Sequence, residues 1–210
     1  LIQRFGINWA SQMLGTSYSL TLPYNSPKPT KVWGFEFEHQ VNFNFLPGLL
    51  KNIVLSYNAS VVRSEAYIYT ARLDSVFYDP PGPIKGSWKK FNALDEDKRK
   101  LENMPEFFGN IALGYDIGRF SGRISLYHQG EHNVSYSASG LSDVVTNAYT
   151  RIDLALKQGI TRNIALVLNV NNLTDVEEGN SVRNRVRNWT LFNQSEKYGT
   201  TADFGVTMNF

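Results

Sequence analysis

The residues that could do chemistry are few and scattered. His128 and His132 stand four apart, the spacing at which two imidazoles meet one metal on a helix face. On an extended chain that spacing does not converge, so no metal site is expected. Asp95-Glu-Asp97 is a carboxylate cluster without the spaced ligands and glycine of a calcium loop, and reads as the solvated start of a short helix across 94–101. Serine, histidine and aspartate are all present, but nothing orders them as nucleophile, base and orienting group, so no catalysis and no cofactor are expected. Binding is the better prospect. Tyr78, Trp88, Trp189 and Phe192 are aromatics in long polar stretches, where a ring can stack on a captured ligand or pack its own loop. Arg183, Arg185 and Arg187 alternate within 173–197; they suit an anionic ligand or the solvated face of a hairpin arm. Asn169, Asn171 and Asn172 could bind ligand or satisfy backbone groups at a strand end.

Alternating strands must position these residues. In Tyr198–Phe210 the even positions Tyr198, Phe204, Val206, Met208 and Phe210 are apolar, and the odd positions are small or polar. Successive strand side chains point to opposite faces, so this is one two-faced strand. The clearest alternation lies in 32–45. There Trp33, Phe35, Phe37, Val41, Phe43 and Phe45 share a face with His39, opposite Glu36, Glu38, Gln40 and Asn42. Further strands are predicted over 53–63, 106–116, 120–130, 148–157 and 164–172, and more weakly within 1–13. Segments 14–31, 64–105, 131–147 and 173–197 read as loops. The result is an all-β antiparallel up-and-down meander of 7–8 strands.

Two soluble or membrane environments fit such strands: a β-sandwich that turns its apolar faces to a core, or a transmembrane barrel that turns them to lipid. Connections distinguish them. After 45, 116 and 157 they are short; after 63, 130 and 172 they are long. Short turns at one end and long loops at the other are the outer-membrane barrel layout. Charge agrees. Glu36, Glu38, Asp116, Arg123, Arg151, Asp153, Lys157 and Asp203 all fall on polar faces. A lysine or arginine facing lipid at the midplane costs roughly 2–4 kcal/mol. Arg63 has apolar parity at a strand end, and His39 is a mid-strand exception.

Composition narrows the field. The 210 residues carry a net charge of +2 with no basic block, which gives no footprint for nucleic acid. There is no cysteine, which excludes disulfides and thiolate metal sites. No run of about 18 apolar residues could form a transmembrane helix. Mean hydropathy is −0.31, which a barrel tolerates because half of each strand and all the loops meet water. The chain begins at Leu1 without a leader pattern and reads as a processed chain or a fragment.

Three stretches resemble the C-terminal barrel portion of a TonB-dependent outer-membrane receptor. Val170-Asn-Asn-Leu-Thr-Asp175 looks like the family's V-x-N-L-(T/F)-D segment. Tyr198-Gly-Thr through Phe210 looks like its closing strand, with Thr200 where arginine is usual. Gly34-Phe-Glu36 followed by Phe45-Leu-Pro-Gly48 looks like its G-x-E strand and periplasmic turn, and Asn103-Met-Pro105 also fits. The resemblance implies that residues 1–210 are the C-terminal part of a 22-stranded barrel, with the plug domain and N-terminal strands lying elsewhere in the receptor. It implies energy-coupled import of a siderophore, cobalamin or glycan across the bacterial outer membrane. Its partners would be outer-membrane lipid, the plug, an inner-membrane energy-coupling protein and the barrel-assembly machinery. Outer-loop ligand candidates are then Tyr78, Trp88, Arg183, Arg185, Arg187 and Trp189, and the assembly signal is Phe204, Val206, Met208 and Phe210. The alternative is a small self-contained barrel or sandwich acting as an adhesin or carbohydrate-binding module.

Overall fold

The computed structural model describes residues 28–78, 87–137 and 139–209, with the backbone alone for 69–78 and 87–95. The strands are β1 (Lys31–Asn42), β2 (Ile53–Tyr78), β3 (Ser87–Arg99), β4 (Phe107–Ile117), β5 (Phe120–Gln129), β6 (His132–Ser135), β7 (Asp143–Thr146), β8 (Tyr149–Gly159), β9 (Ile164–Asn171), β10 (Glu177–Asn184), β11 (Trp189–Lys197) and β12 (Thr201–Met208). A 3-10 turn, Gly48–Asn52, links β1 to β2. The main sheet runs β1-β2-β4-β5-β8-β9-β12, every pair antiparallel. Its spatial order is its chain order, which is the expected meander. β1 and β12 are its edges, so the described strands form an open wall.

Register keeps the two faces continuous across that wall. Phe35 lies opposite Val61, and Val61 opposite Phe107. Leu55 meets Leu113, Leu113 meets Ile124, and Ile124 meets Leu154. Leu154 meets Val170, and Leu168 meets Phe204. A one-residue slip in any pair would turn a whole apolar set to the wrong side. The apolar face is bare: Phe35 is 84% exposed and Phe204 70%. Among the described residues, the buried hydrophobic side chains are Ala66 and Val145, so no second sheet covers this face as a sandwich requires. A shallow apolar furrow of about 300 Å³ runs over Leu55, Ile111, Leu113, Ile124, Leu126 and Ile152. In water such a surface would be unstable at this extent; against acyl chains it is at rest.

The polar face is equally ordered. Arg123 lies flat over Gly114, where a Cβ would stand 2.6 Å from its guanidinium carbon. From there it grips Asp116 with two bonds of 2.8 and 2.7 Å. At the short-turn end, Gly118 (φ +57°) with Arg119 makes a two-residue hairpin between β4 and β5.

The long-loop end differs from the sequence expectation. Residues 64–105 hold not a loop but a long arm: β2 continues to Tyr78 and pairs with β3 from Ala66↔Arg99 to Tyr78↔Ser87. The helix expected across 94–101 is therefore extended strand through Arg99. The run Asp95–Lys100 alternates as well as it clusters, with Glu96 and Lys98 sharing one face and Asp97 and Arg99 the other. Pairing with β2 overrides local helix preference. The loops expected at 131–147 and 173–197 contain β6, β7, β10 and β11, which form a four-stranded sheet in the order β11-β10-β7-β6. The strand expected within 1–13 lies outside the described residues.

Candidate functional site

The long-loop end brings the β2–β3 arm against the four-stranded sheet, enclosing a cleft of about 500 Å³. Its wall is charged, with Lys98, Arg99, Glu131, Asp143, Arg183 and Arg185 among its lining. Asp143 is fully buried. It accepts from the Ser137 backbone N–H at 2.8 Å and from the Ser137 hydroxyl at 3.2 Å. Its other oxygen is in ion-pair contact with Arg185 Nε, and Arg185 Nη2 donates to Asp143 Oδ1 at 3.4 Å. Arg185, only 16% exposed along its side chain, also reaches Asp97 at 3.2 Å and donates to the Ser137 carbonyl at 3.2 Å. Its guanidinium sits 5.6 Å from the centre of the Tyr136 ring. Arg185 thus fastens the β10 end to β7 and to the β2–β3 arm. Burial pushes the Tyr136 phenol above its ordinary value, while the nearby Arg99 charge works against that shift.

The ligand candidates separate into two groups. Arg183 bonds Glu131 at 2.6 Å in a partly exposed pair, and Arg185 is enclosed by carboxylates. Arg187 is exposed in the β10–β11 turn, where its backbone N–H donates to Asn184 Oδ1 at 2.8 Å. Trp189 opens β11 at 38% exposure, beside exposed Val186, Leu191 and Phe192. Tyr78 and Trp88 lie at the far end of the β2–β3 arm, in strand rather than loop, with Tyr78 opposite Ser87 and Trp88 opposite Phe77. The six candidates therefore occupy two hairpins, linked through the contact of Arg185 with Asp97. Sequence reading did not find Asp97 and Asp143 as partners of Arg185. They are 88 and 42 residues away from it, and no local pattern joins them.

The remaining candidates resolve into local roles. Asn172 takes positive φ (57°), accepts from Val176 N–H at 2.9 Å and donates to the Gly199 carbonyl at 3.1 Å. Its own N–H donates to Asp153 at 2.8 Å, so it joins the end of β9 to β8 and to the entry of β12. His128 Nδ1 lies 2.8 Å from Thr150 Oγ1, and His132 Nδ1 lies 3.5 Å from the Gly130 carbonyl; the two histidines belong to different sheets. Among the described residues no group of three metal-ligating side chains gathers. His39, on the apolar face, has its Nδ1 3.2 Å from the Tyr57 hydroxyl and its ring against Phe37, which satisfies it there. Phe204, Val206 and Met208 project from the bare apolar face of β12. Phe210 lies outside the described residues.

Compared with known proteins, residues 6–173 match the family model described as TonB dependent receptor-like, beta-barrel. No curated protein and no solved structure matches the chain. The match covers well over half of the sequence, and the chain belongs to this family, one of outer-membrane receptors.

Proposed function

We propose, from that membership, that this chain forms part of the wall of an outer-membrane receptor that imports a scarce ligand with energy coupled from the inner membrane. The observation that carries this reading is the seven-stranded wall with one bare apolar face and one charged polar face. Its open edges at β1 and β12 call for further strands to complete a 22-stranded barrel. In this reading residues 1–210 are the C-terminal part of that barrel, and a plug elsewhere in the receptor fills the lumen and meets the energy-coupling protein.

Ligand capture begins at the outer hairpins. Exposed Arg187 and Trp189 on one arm, and Tyr78 and Trp88 on the other, are the proposed first contacts, with Arg183 and Arg185 in the cleft behind them. A siderophore, cobalamin or glycan suits aromatic and cationic contacts of this kind. The chain serves transport and no catalytic step. Phe204, Val206, Met208 and Phe210 are proposed to present the closing strand to the barrel-assembly machinery. Deleting Phe210 from the full-length receptor is expected to cut its surface display severalfold on intact-cell labelling; unchanged display would remove this role.

The test is uptake. Cells with the full-length receptor and cells deleted for it are given a radiolabelled ferric siderophore, cyanocobalamin or a maltooligosaccharide. Receptor-dependent accumulation of one of these, lost on adding a protonophore, is expected. Accumulation that survives the protonophore would contradict energy coupling.

A further inference from the structure

The polar face of the wall gathers its aromatic rings in one place. Along the paired rows of β1, β2, β4, β5, β8, β9 and β12, the rings on that face are Phe108, Tyr127 and Tyr149. They stand on three neighbouring strands in two adjacent rows. In one row Phe108 lies opposite Gln129, and Gln129 opposite Tyr149. In the next, Asn110 lies opposite Tyr127, and Tyr127 opposite Arg151. Rows on one face are about 7 Å apart and strands about 4.8 Å, so the three rings rise from an area roughly 10 Å across. The Tyr127 and Tyr149 rings are 6.0 Å apart between centres and inclined at 55°, a corner rather than a flat stack. The Tyr127 hydroxyl donates to Gln129 Oε1 at 3.1 Å, which holds that ring in place. All three rings are half-buried. β7 ends at Thr146 and β8 opens at Tyr149, so the corner lies where the outer sheet gives way to the wall.

Rings on this face keep apolar surface in a wet lumen, away from the lipid that covers the wall's other large apolar side chains. Charge narrows what could cover them. Arg151 is paired with Asp153, Nε to Oδ2 at 3.3 Å. The same two rows carry Glu36 and Glu38 at their β1 ends. The corner therefore offers an anion no excess of positive charge. It offers ring faces beside the amides of Asn110 and Gln129, each of which both donates and accepts. A sugar ring has the matching surfaces: a face of C–H bonds and a rim of hydroxyls that also donate and accept.

We propose that this corner is a second binding site on the import path, where a neutral oligosaccharide stacks after leaving the outer cleft. Tyr127 and Tyr149 lie under successive sugar rings, and Asn110 and Gln129 bond their hydroxyls. The inference rests on the import reading above and narrows its ligand to a glycan.

The experiment is isothermal titration calorimetry of the full-length receptor in detergent. The probes are maltoheptaose, cellohexaose, xylohexaose and chitohexaose, with ferrichrome and cyanocobalamin beside them. One of the oligosaccharides is expected to bind the wild type. Tyr127→Ala and Tyr149→Ala are each expected to weaken it about tenfold, the upper size of a lost ring contact. Gln129→Ala is expected to weaken it severalfold. Phe35→Ala, which removes a ring from the lipid face, is expected to change nothing. Heat-modifiable gel mobility reports barrel folding, and if an alanine variant of a tyrosine does not fold, Gln129→Ala decides in its place. Unchanged glycan affinity in the folded variants overturns the proposal. Variants that lower the melting temperature of the receptor but not its glycan affinity also overturn it, because the rings would then pack against the plug. A wild type that binds ferrichrome or cyanocobalamin and none of the oligosaccharides overturns it while leaving the import reading intact. A receptor whose deletion alters cellular uptake of none of these compounds overturns both.

Discussion

Arg185 shows how far residue identity alone carries. Its place in an alternating arginine series, Arg183, Arg185 and Arg187, is visible in the sequence, and the alternation itself signals a strand. The three fates are not visible. Arg183 meets Glu131, Arg185 is enclosed by Asp143, Asp97 and Ser137, and Arg187 faces solvent. Partners chosen by tertiary pairing leave no mark in local spacing. The energetic consequence separates them as well. Removing one member of a buried ion pair costs about 3–5 kcal/mol, whereas exposed pairs contribute about 0–1 kcal/mol. Asp143→Ala is therefore expected to loosen the outer hairpins, seen as faster hydrogen exchange across β7 and β10, and Glu131→Ala to leave exchange unchanged. Equal effects would contradict the clamp. Tyr136 adds a pH dependence. Its folded-state value is raised by burial, so its contribution is complete below the ordinary phenol value near 10 and is lost as pH rises through the folded value. Exchange protection of the β6–β7 loop should fall at alkaline pH in the wild type and stay flat in Tyr136→Phe; parallel curves would remove the assignment.

Among the elements, legibility follows the solvent. The strands of the wall are readable because their large apolar residues recur mainly on one face over β1, β4, β9 and β12, as a surface with lipid on one side and water on the other would require. Above the membrane that constraint lapses. Charges fall on both faces of the β2–β3 arm, and Asp95–Lys100 imitates a helix start although Asp95–Arg99 pairs with Ala66–Thr70. The loops at 131–147 and 173–197 concealed their strands for the same reason, aided by register shifts at Asn133/Ser135 and Asn180/Ser181. The arm and the wall should be energetically separable. Lys98→Pro removes a backbone donor from β3 and is expected to increase proteolysis of the arm while the barrel keeps its heat-modifiable gel shift. Loss of that shift would mean that the arm is needed for the wall to form.

At the scale of the molecule, the central claim is that the continuous face through Ile111, Leu113, Ile124 and Leu126 meets lipid, while the face through Asn110, Ala112 and Ser125 meets a wet lumen. An arginine placed at Leu113 should destabilise the barrel by roughly 2–4 kcal/mol in a denaturant titration, and one at Ala112 by much less. Comparable losses at both positions would weaken the assignment of faces. The most direct measurement uses the absence of cysteine in this chain. Single cysteines at 110, 111, 112, 113, 124, 125 and 126 of the full-length receptor in lipid vesicles would be labelled with a fluorophore. Each would then be tested against a lipid-borne and a water-soluble quencher. The account predicts a period of two, with lipid quenching at 111, 113, 124 and 126 and aqueous quenching at 110, 112 and 125. Uniform aqueous quenching at all seven positions would contradict it.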